Sequence, residues 1–340
     1  MGKKILKNKI FIRTIIIILA IIIIIAGILG GIIFSKLSNL KIEEVDKNNL
    51  GMAEDIYSTV SEEMTEEDFK NIKSFVLFGI DTQSSGDGQD EEGFKGRTDT
   101  IMIISINPKY KSIKLISIPR DTYVEIEGYG KTKINYAHAY GGAQLALKTI
   151  NTNFNLNISE YVTVDFSGLV NIINDIGGID VKITNEEKEY INRYSYLVYN
   201  VSGNKRKWLT SYGTVLLDGE QAVIHSQNRT IGDGDFTRAE RQRTIIQAIS
   251  NKISKMNAGE IYNLIDVFLK EVTTNINIMD YMGLLGELVA NKNAYLNNVV
   301  STQIPKEDYA TSQTIKGIYY FVPTDTQKML EEMREYIYKK

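Results

Sequence analysis

The chain has 340 residues but no cysteine, only two histidines and no basic surplus. Without cysteine, disulfides, thiolate nucleophiles and cysteine-ligated metal sites are excluded. His138 and His225 alone do not support a multi-histidine metal centre. A formal net charge of −3 has the wrong sign for a nucleic-acid binder, which normally carries a basic excess. Arginine is scarce as well. Most basic residues are Lys, and arginine is concentrated in "GRTD", "IPRD" and "NRTIGDGDFTRAERQR". An arginine fork meets phosphate or carboxylate oxygens bidentately, which an ammonium cannot do, so those three places are where oxyanion chemistry is expected.

What is present begins with a long apolar run. Ile15 to Phe34 reads "IIIILAIIIIIAGILGGIIF", without charge and long enough to cross a hydrocarbon core of about 30 Å. Lys3, Lys4, Lys7, Lys9 and Arg13 precede it, while Lys36 and Lys41 are mixed with Glu43, Glu44 and Asp46 after it. The positive-inside rule then makes residues 1–14 a cytoplasmic N-terminus, 15–34 a transmembrane helix and the rest extracellular. A cleaved signal peptide would have a shorter apolar core and an A-x-A-like site, which is not visible. Residues 35–70, acidic and polar, read as a stalk that need not pack, followed by one domain over 71–340.

From Ser74 onward the texture is that of an α/β domain. "SFVLFGI", "TIMIISI" and "SIKLISI" read as strands with a hairpin-like turn at "NPKYKS". "GGAQLALKTINTNF" reads as a helix, and "YVTVDF", "SGLVNIINDIGG" and "IDVKI" as strand, helix and strand. Gly177 and Gly178 stand where a helix C-cap belongs. Residues 185–217, rich in Tyr, read as an irregular surface excursion. Two helices follow, "LDGEQAVIHSQN" and "DFTRAERQRTIIQAISNKI", then helices near 259–271 and 279–292, a strand "GIYYFV" and a final helix from Thr324. Helices covering a central mixed sheet are the expected architecture.

Charges fall at the ends of these strands. Asp81 closes "FVLFGI", Arg97 and Asp99 lead into "TIMIISI", and Arg120 and Asp121 follow "SIKLISI" after Pro119. Two carboxylates beside arginines suit Mg²⁺, which binds one or two carboxylates together with substrate phosphates. Ordinary turn chemistry is the alternative for both Asp residues. For Arg238, Arg241 and Arg243 the alternative is an exposed helix face paired with Glu240. "DTQSSGDGQDEE" has Asp81, Gly86 and Glu92 at EF-hand spacing, but Gln83 and Ser85 replace acidic ligands and a strand precedes it. His225-Ser226 sits on a helix without a nucleophile elbow, so a serine hydrolase is not supported. His138 reads as a packed residue.

Taken in order, "FVLFGID", "GRTDTIMIISINPKYKSIKLISIPRDTYVEI", "KINYAHAYGG", "DIGGIDV", "LDGEQAV" and "GDFTRAERQR" resemble the LytR-CpsA-Psr family over Phe75 to Ile249. The resemblance implies an α/β/α sandwich with a lipid-binding cavity, held at the cell membrane by an N-terminal anchor. It implies transfer of an anionic glycopolymer, of the wall teichoic acid or capsular polysaccharide type, from a polyprenyl-pyrophosphate carrier to peptidoglycan. By the same resemblance Asp81 and Asp99 would bind Mg²⁺, and Arg97, Arg120, Arg229 and Arg238 would grip the pyrophosphate. Arg120 and Asp235 would be catalytic, with Asp235 taking the proton of the incoming sugar hydroxyl, while Asp121 would orient Arg120. One departure is Gln227 in "SQNR", where family members often carry an arginine. Two alternatives stand beside the transferase: a membrane-tethered polyprenyl-pyrophosphate-binding regulator, and a lipid pyrophosphatase with water as acceptor.

Overall fold

The computed structural model describes residues 41–339, except 62–63, 82–95, 233, 254, 257–259, 261–266, 269, 282, 285–286, 288–290, 292–293 and 296–297. The apolar run at 15–34 and the EF-hand-like loop therefore lie outside the described residues, as does most of the two helices expected between 259 and 292. Among the described residues no helix is long and apolar enough to cross a membrane. The chain forms two compact units. A sheet unit comprises Lys41–Asp165, Thr273–Asn277 and Asn298–Lys340, and a helix unit comprises Phe166–Val272 and Ile278–Asn297.

The sheet unit is organised by β1 (Lys41–Ile42), β2 (Lys73–Asp81), β3 (Arg97–Asn107), β4 (Ser112–Ser117), β7 (Tyr161–Asp165), β10 (Val272–Thr274) and β11 (Val299–Gln303), in the spatial order β1-β10-β7-β2-β3-β4-β11. The sheet is mixed: β3 runs antiparallel to β2 and β4, whereas β2 pairs parallel with β7 and β4 parallel with β11. Every residue of β3 from Ile101 to Asn107 is buried, as befits a central strand covered on both faces. Alternation then divides the side chains. Val76, Phe78, Ile103 and Ile116 join a continuous core with Leu147 and Ile150 of α2 (Tyr136–Phe154) and with Met329, Met333 and Ile337 of α7 (Thr326–Tyr338). Two hairpins complete the unit, β5 (Tyr123–Ile126) with β6 (Gly130–Lys133) and β12 (Ala310–Ile315) with β13 (Ile318–Pro323).

Two expectations change here. The stalk reading fails from Lys41 onward: β1 pairs with β10, and Leu50, Ile56, Val60 and Met64 are buried in the main core. These four apolar residues are scattered among acids, and their spacing gave no regular period; short turns and α1 (Glu66–Asn71), capped by Thr65 and Asp68, carry them inward. The helix expected to open at Gly141 begins five residues earlier, and Gly141-Gly142 is a break inside it. Gly142 adopts φ +64° and ψ −157°, a region open in practice to glycine alone.

The helix unit contains α3 (Phe166–Asp175), β8 (Ile179–Ile183), α4 (Asn185–Ser202), β9 (Gly213–Leu217), α5 (Gly219–Gln227) and α6 (Gly234–Ile253). Gly177 and Gly178, both at positive φ, return N–H bonds to Asn174 and Ile173 and end α3 as expected. The supposed irregular excursion is instead largely α4, opened by a capping box between Thr184 and Glu187 and closed at Gly203. Its many tyrosines weakened the propensity signal, but the T-x-x-E cap was legible. α5 is buried from Gly219 to Ser226 and packs against α3, α4 and α6.

Candidate functional site

In the sheet unit the predicted charges meet at one end of the sheet. β2, β4, β7 and β11 all point their C-terminal ends there, the customary ligand-binding edge of an α/β sheet. Asp81 ends β2 with its backbone opposite Arg97; its side chain lies outside the described residues. The pairing of β2 with β3 slips between Gly79 and Ile80. Thr100 faces Gly79 and Thr98 faces Ile80, so Asp99 is the extra residue of a β-bulge. Bulges commonly re-aim a side chain beside a functional site. The missing side chain of Gly79 permits this one, since a Cβ there would stand 3.0 Å from Thr100 Cβ.

The bulge delivers the Asp99 carboxylate to Arg120, whose Nη1 donates to Oδ1 at 2.5 Å. Arg120 occupies the turn after β4, where Thr122 N–H donates to the Pro119 carbonyl at 3.0 Å. The turn is fixed from two sides: Ile134 N–H donates to Thr122 O, and Phe321 N–H donates to Asp121 O. Asp121 Oδ2 lies 3.6 Å from Arg120 Nε, and its Oδ1 accepts from Lys133 Nζ at 2.7 Å. Asp121 thus touches Arg120 as expected, and also neutralises Lys133, a residue that sequence reasoning missed. Nothing in a Lys-rich chain distinguishes that lysine before β5 and β6 pair.

Arg97 lies with Cζ 4.8 Å over the Tyr136 ring, a cation–π contact that orients the guanidinium. His138 is buried, packs against Phe78 and donates from Nδ1 to Gly96 O at 3.1 Å. It is a packed residue, as expected, and it fixes the backbone immediately before Arg97. The described part of this site therefore gathers Arg97, Arg120, Lys133, Asp99 and Asp121 around partly buried ion pairs.

The helix unit holds the second arginine group. The alternative of an exposed helix face does not hold for two of the three arginines: Arg238 and Arg241 are both buried, and Arg241 pairs with Glu187 rather than Glu240. Arg241 donates from Nε to Glu187 Oε1 at 2.7 Å, from Nη1 to Asn228 O at 2.9 Å and from Nη2 to Ile231 O at 2.9 Å. Asn228 Oδ1 accepts from the Thr230 and Ile231 N–H groups, so the loop carrying Arg229 is fixed at both ends. Burial works against the Glu187 carboxylate. The Thr184 N–H, Arg241 and the neighbouring His225 outweigh it and hold its pKa below the usual range. Burial also pushes His225 down to about 4, so this imidazole is neutral near pH 7. Ser226 donates back to Val223 O, consistent with a structural His-Ser pair. Asp235 lies in the first turn of α6, and its side chain, like that of Arg243, is outside the described residues.

Among the described residues no three His, Cys, Asp or Glu side chains cluster as a metal site. Asp99 nevertheless offers hard carboxylate oxygens at the mouth of the bulge, beside the strand that ends in Asp81. That donor chemistry fits Mg²⁺ completed by phosphate and water oxygens.

The chain is 29% identical over 344 residues to a polyisoprenyl-teichoic acid–peptidoglycan teichoic acid transferase, TagT, of Bacillus subtilis strain 168, covering 98% of this chain and 95% of that one. It is 31% identical over 320 residues to the corresponding TagU of Bacillus anthracis, covering 92% and 91%. Its fold superposes on the structure of TagT bound to LI-WTA with a TM-score of 0.60 at 25% identity, covering 87% of this chain and 97% of that one. The model of the LytR_cpsA_psr family matches residues 39–335, and the chain belongs to that family.

Proposed function

We propose that the protein transfers an anionic glycopolymer of the wall teichoic acid or capsular type from a polyprenyl-pyrophosphate carrier to a hydroxyl of peptidoglycan. The relatives named as teichoic acid transferases support the reaction class. The observation that carries it to particular residues is the bulge that sets Asp99 against Arg120 beside Arg97. A guanidinium has five donors spread around one plane, so it can hold a carboxylate and phosphate oxygens together. In the reaction the acceptor oxygen forms a bond to the phosphorus that carries the glycan, and the pyrophosphate bridge breaks. Polyprenyl phosphate leaves with the negative charge.

Arg97 and Arg120 offset that charge, and Arg229 and Arg238 are assigned the same pyrophosphate on the resemblance of their motifs. Asp121 and Lys133 keep Arg120 in place. Asp235 is assigned the acceptor proton. Asp81 and Asp99 would hold a Mg²⁺, which would add positive charge at the phosphates. The fold's finer description is an α/β/α sandwich. Residues 15–34 are proposed to anchor it in the cell membrane, with the N-terminus cytoplasmic and the remainder outside.

The test is the full chain in detergent with a short polyprenyl-pyrophosphate-linked glycan, a peptidoglycan fragment and Mg²⁺. Phosphoglycan should appear on the fragment and fall by roughly 10²–10³-fold in Arg120→Ala and in Asp99→Ala. Release of free glycan phosphate, with none on the fragment, would make the protein a lipid pyrophosphatase and refute the transfer.

A further inference from the structure

From Tyr190 to Leu217 the chain contains no Asp or Glu, although the whole protein has 42. The same stretch carries Arg193, Lys205, Arg206 and Lys207, together with Trp208, the only tryptophan. All of it lies in the helix unit and outside the residues assigned to the transfer reaction. α4 exposes Tyr196 (45%), Leu197 (51%) and Val201 (56%), and the connection to β9 exposes Trp208 (61%) and Tyr212 (64%). Single exposed apolar residues need no explanation, but a group of large ones does.

These side chains are displayed by a fixed framework. Arg206 lies with Cζ 4.0 Å from the Trp208 ring centre and 5.9 Å from that of Tyr196. Its Nε donates to Ser195 Oγ at 2.7 Å, and its Nη2 donates to Asn192 O. Asn192 in turn exchanges two hydrogen bonds with the backbone of Leu209, both at 2.9 Å. The adjoining carboxylates lie beneath. Asp218 accepts from Tyr199 Oη and lies 3.4 Å from Lys207 Nζ, while Glu220 is buried and accepts from Ser202, Asn204 and Asn174. Exposed Glu186 and Glu189 stand nearer the start of α4, and from Arg193 onward the charge turned outward is basic, with rings that have a polar edge beside plain aliphatics.

We propose that this face of α4 and the 203–212 connection docks onto a bilayer interface containing anionic lipid. Trp and Tyr rings settle at headgroup depth, and Lys and Arg are drawn to anionic headgroups. An anionic polymer would use the bases and rings but would have no use for Leu197 and Val201, which decides for lipid. The docking holds the helix unit against the membrane. It does not depend on the transferase reading, because lipid without any polyprenyl carrier suffices.

Trp208 makes the test direct, since all tryptophan emission comes from it. The full chain is reconstituted in vesicles of phosphatidylcholine with or without phosphatidylglycerol, using lipids brominated on the acyl chain as contact quenchers. With phosphatidylglycerol the emission should shift to shorter wavelength and be quenched by the brominated lipid. In Lys205→Ala/Lys207→Ala the docked-to-free ratio should fall roughly 30-fold, from the usual attraction per basic residue. Arg193→Ala/Lys205→Ala, which leaves the Asp218 contact intact, should fall similarly, with unchanged circular-dichroism melting. Unshifted, unquenched emission in both lipids overturns the proposal. So does a response to soluble poly(glycerol phosphate) with none to brominated lipid, which would make the face a polymer-binding surface.

Discussion

Arg241→Ala should be among the most destabilising substitutions in the helix unit. The side chains of Arg241 and Glu187 are 6% and 10% exposed, so the pair is almost wholly removed from water. Deleting one member of a buried pair leaves the other charge stranded, which typically costs about 3–5 kcal/mol. Glu187 would keep its bond from the Thr184 N–H, which argues for the lower part of that range. The carbonyls of Asn228 and Ile231 would also lose their donors, at about 1 kcal/mol or more each. Arg241→Lys separates charge from shape: one ammonium can meet Glu187 but cannot span three acceptors on separate segments. It should recover stability partly while leaving the Arg229 loop loose. Urea unfolding measures the first effect, and amide hydrogen exchange at residues 228–231 the second. A loss below about 1 kcal/mol in Arg241→Ala would refute the reasoning, as would a cycle with Glu187→Gln showing no coupling.

Two further outcomes follow from the same unit. Gly219→Ala should destabilise by about 2 kcal/mol or more, because its Cβ would lie 2.7 Å from Val170 Cα, 2.8 Å from Val170 C and closer still to Val170 O; thermal melting checks it, and an unchanged melting temperature would mean that α3 and α5 separate easily. His225, held neutral by burial, has a folded pKa near 4 against an ordinary 6.5, so the unfolded chain binds the proton more tightly. Stability should therefore be full above about pH 6.5 and fall as pH drops toward 4, with about 2 kcal/mol lost by about pH 5. Glu187, whose pKa is lowered, adds to the loss in the same direction below its ordinary value of 4.5. His225→Gln should flatten the profile between about pH 7 and pH 5, read as melting temperature against pH.

Much of the sheet was legible because its central strands are Ile-rich and separated by turns, and a strand's period survives without knowledge of its partners. The strand ends were legible too: Arg97, Asp99 and Arg120 do gather at one edge. The bulge was not, since it belongs to the register between β2 and β3 and not to either sequence. The burial of Arg241 was not legible for a related reason. Its burial depends on Glu187, which is local to a different helix, and composition treats the arginines of "RAERQR" alike. The motif "LDGEQAV" shows the opposite case. It helped to identify the family, yet Asp218 caps α5, Gly219 admits the backbone of α3, Glu220 is buried among hydrogen-bond donors and Gln221 completes the capping box. Its polar residues hold three helices together. A family signature thus mixes residues that meet substrate with residues that let helices approach, and only burial separates them. By that criterion the "LDGEQAV" seam belongs to the framework, whereas the ion pairs at the sheet's edge remain partly open.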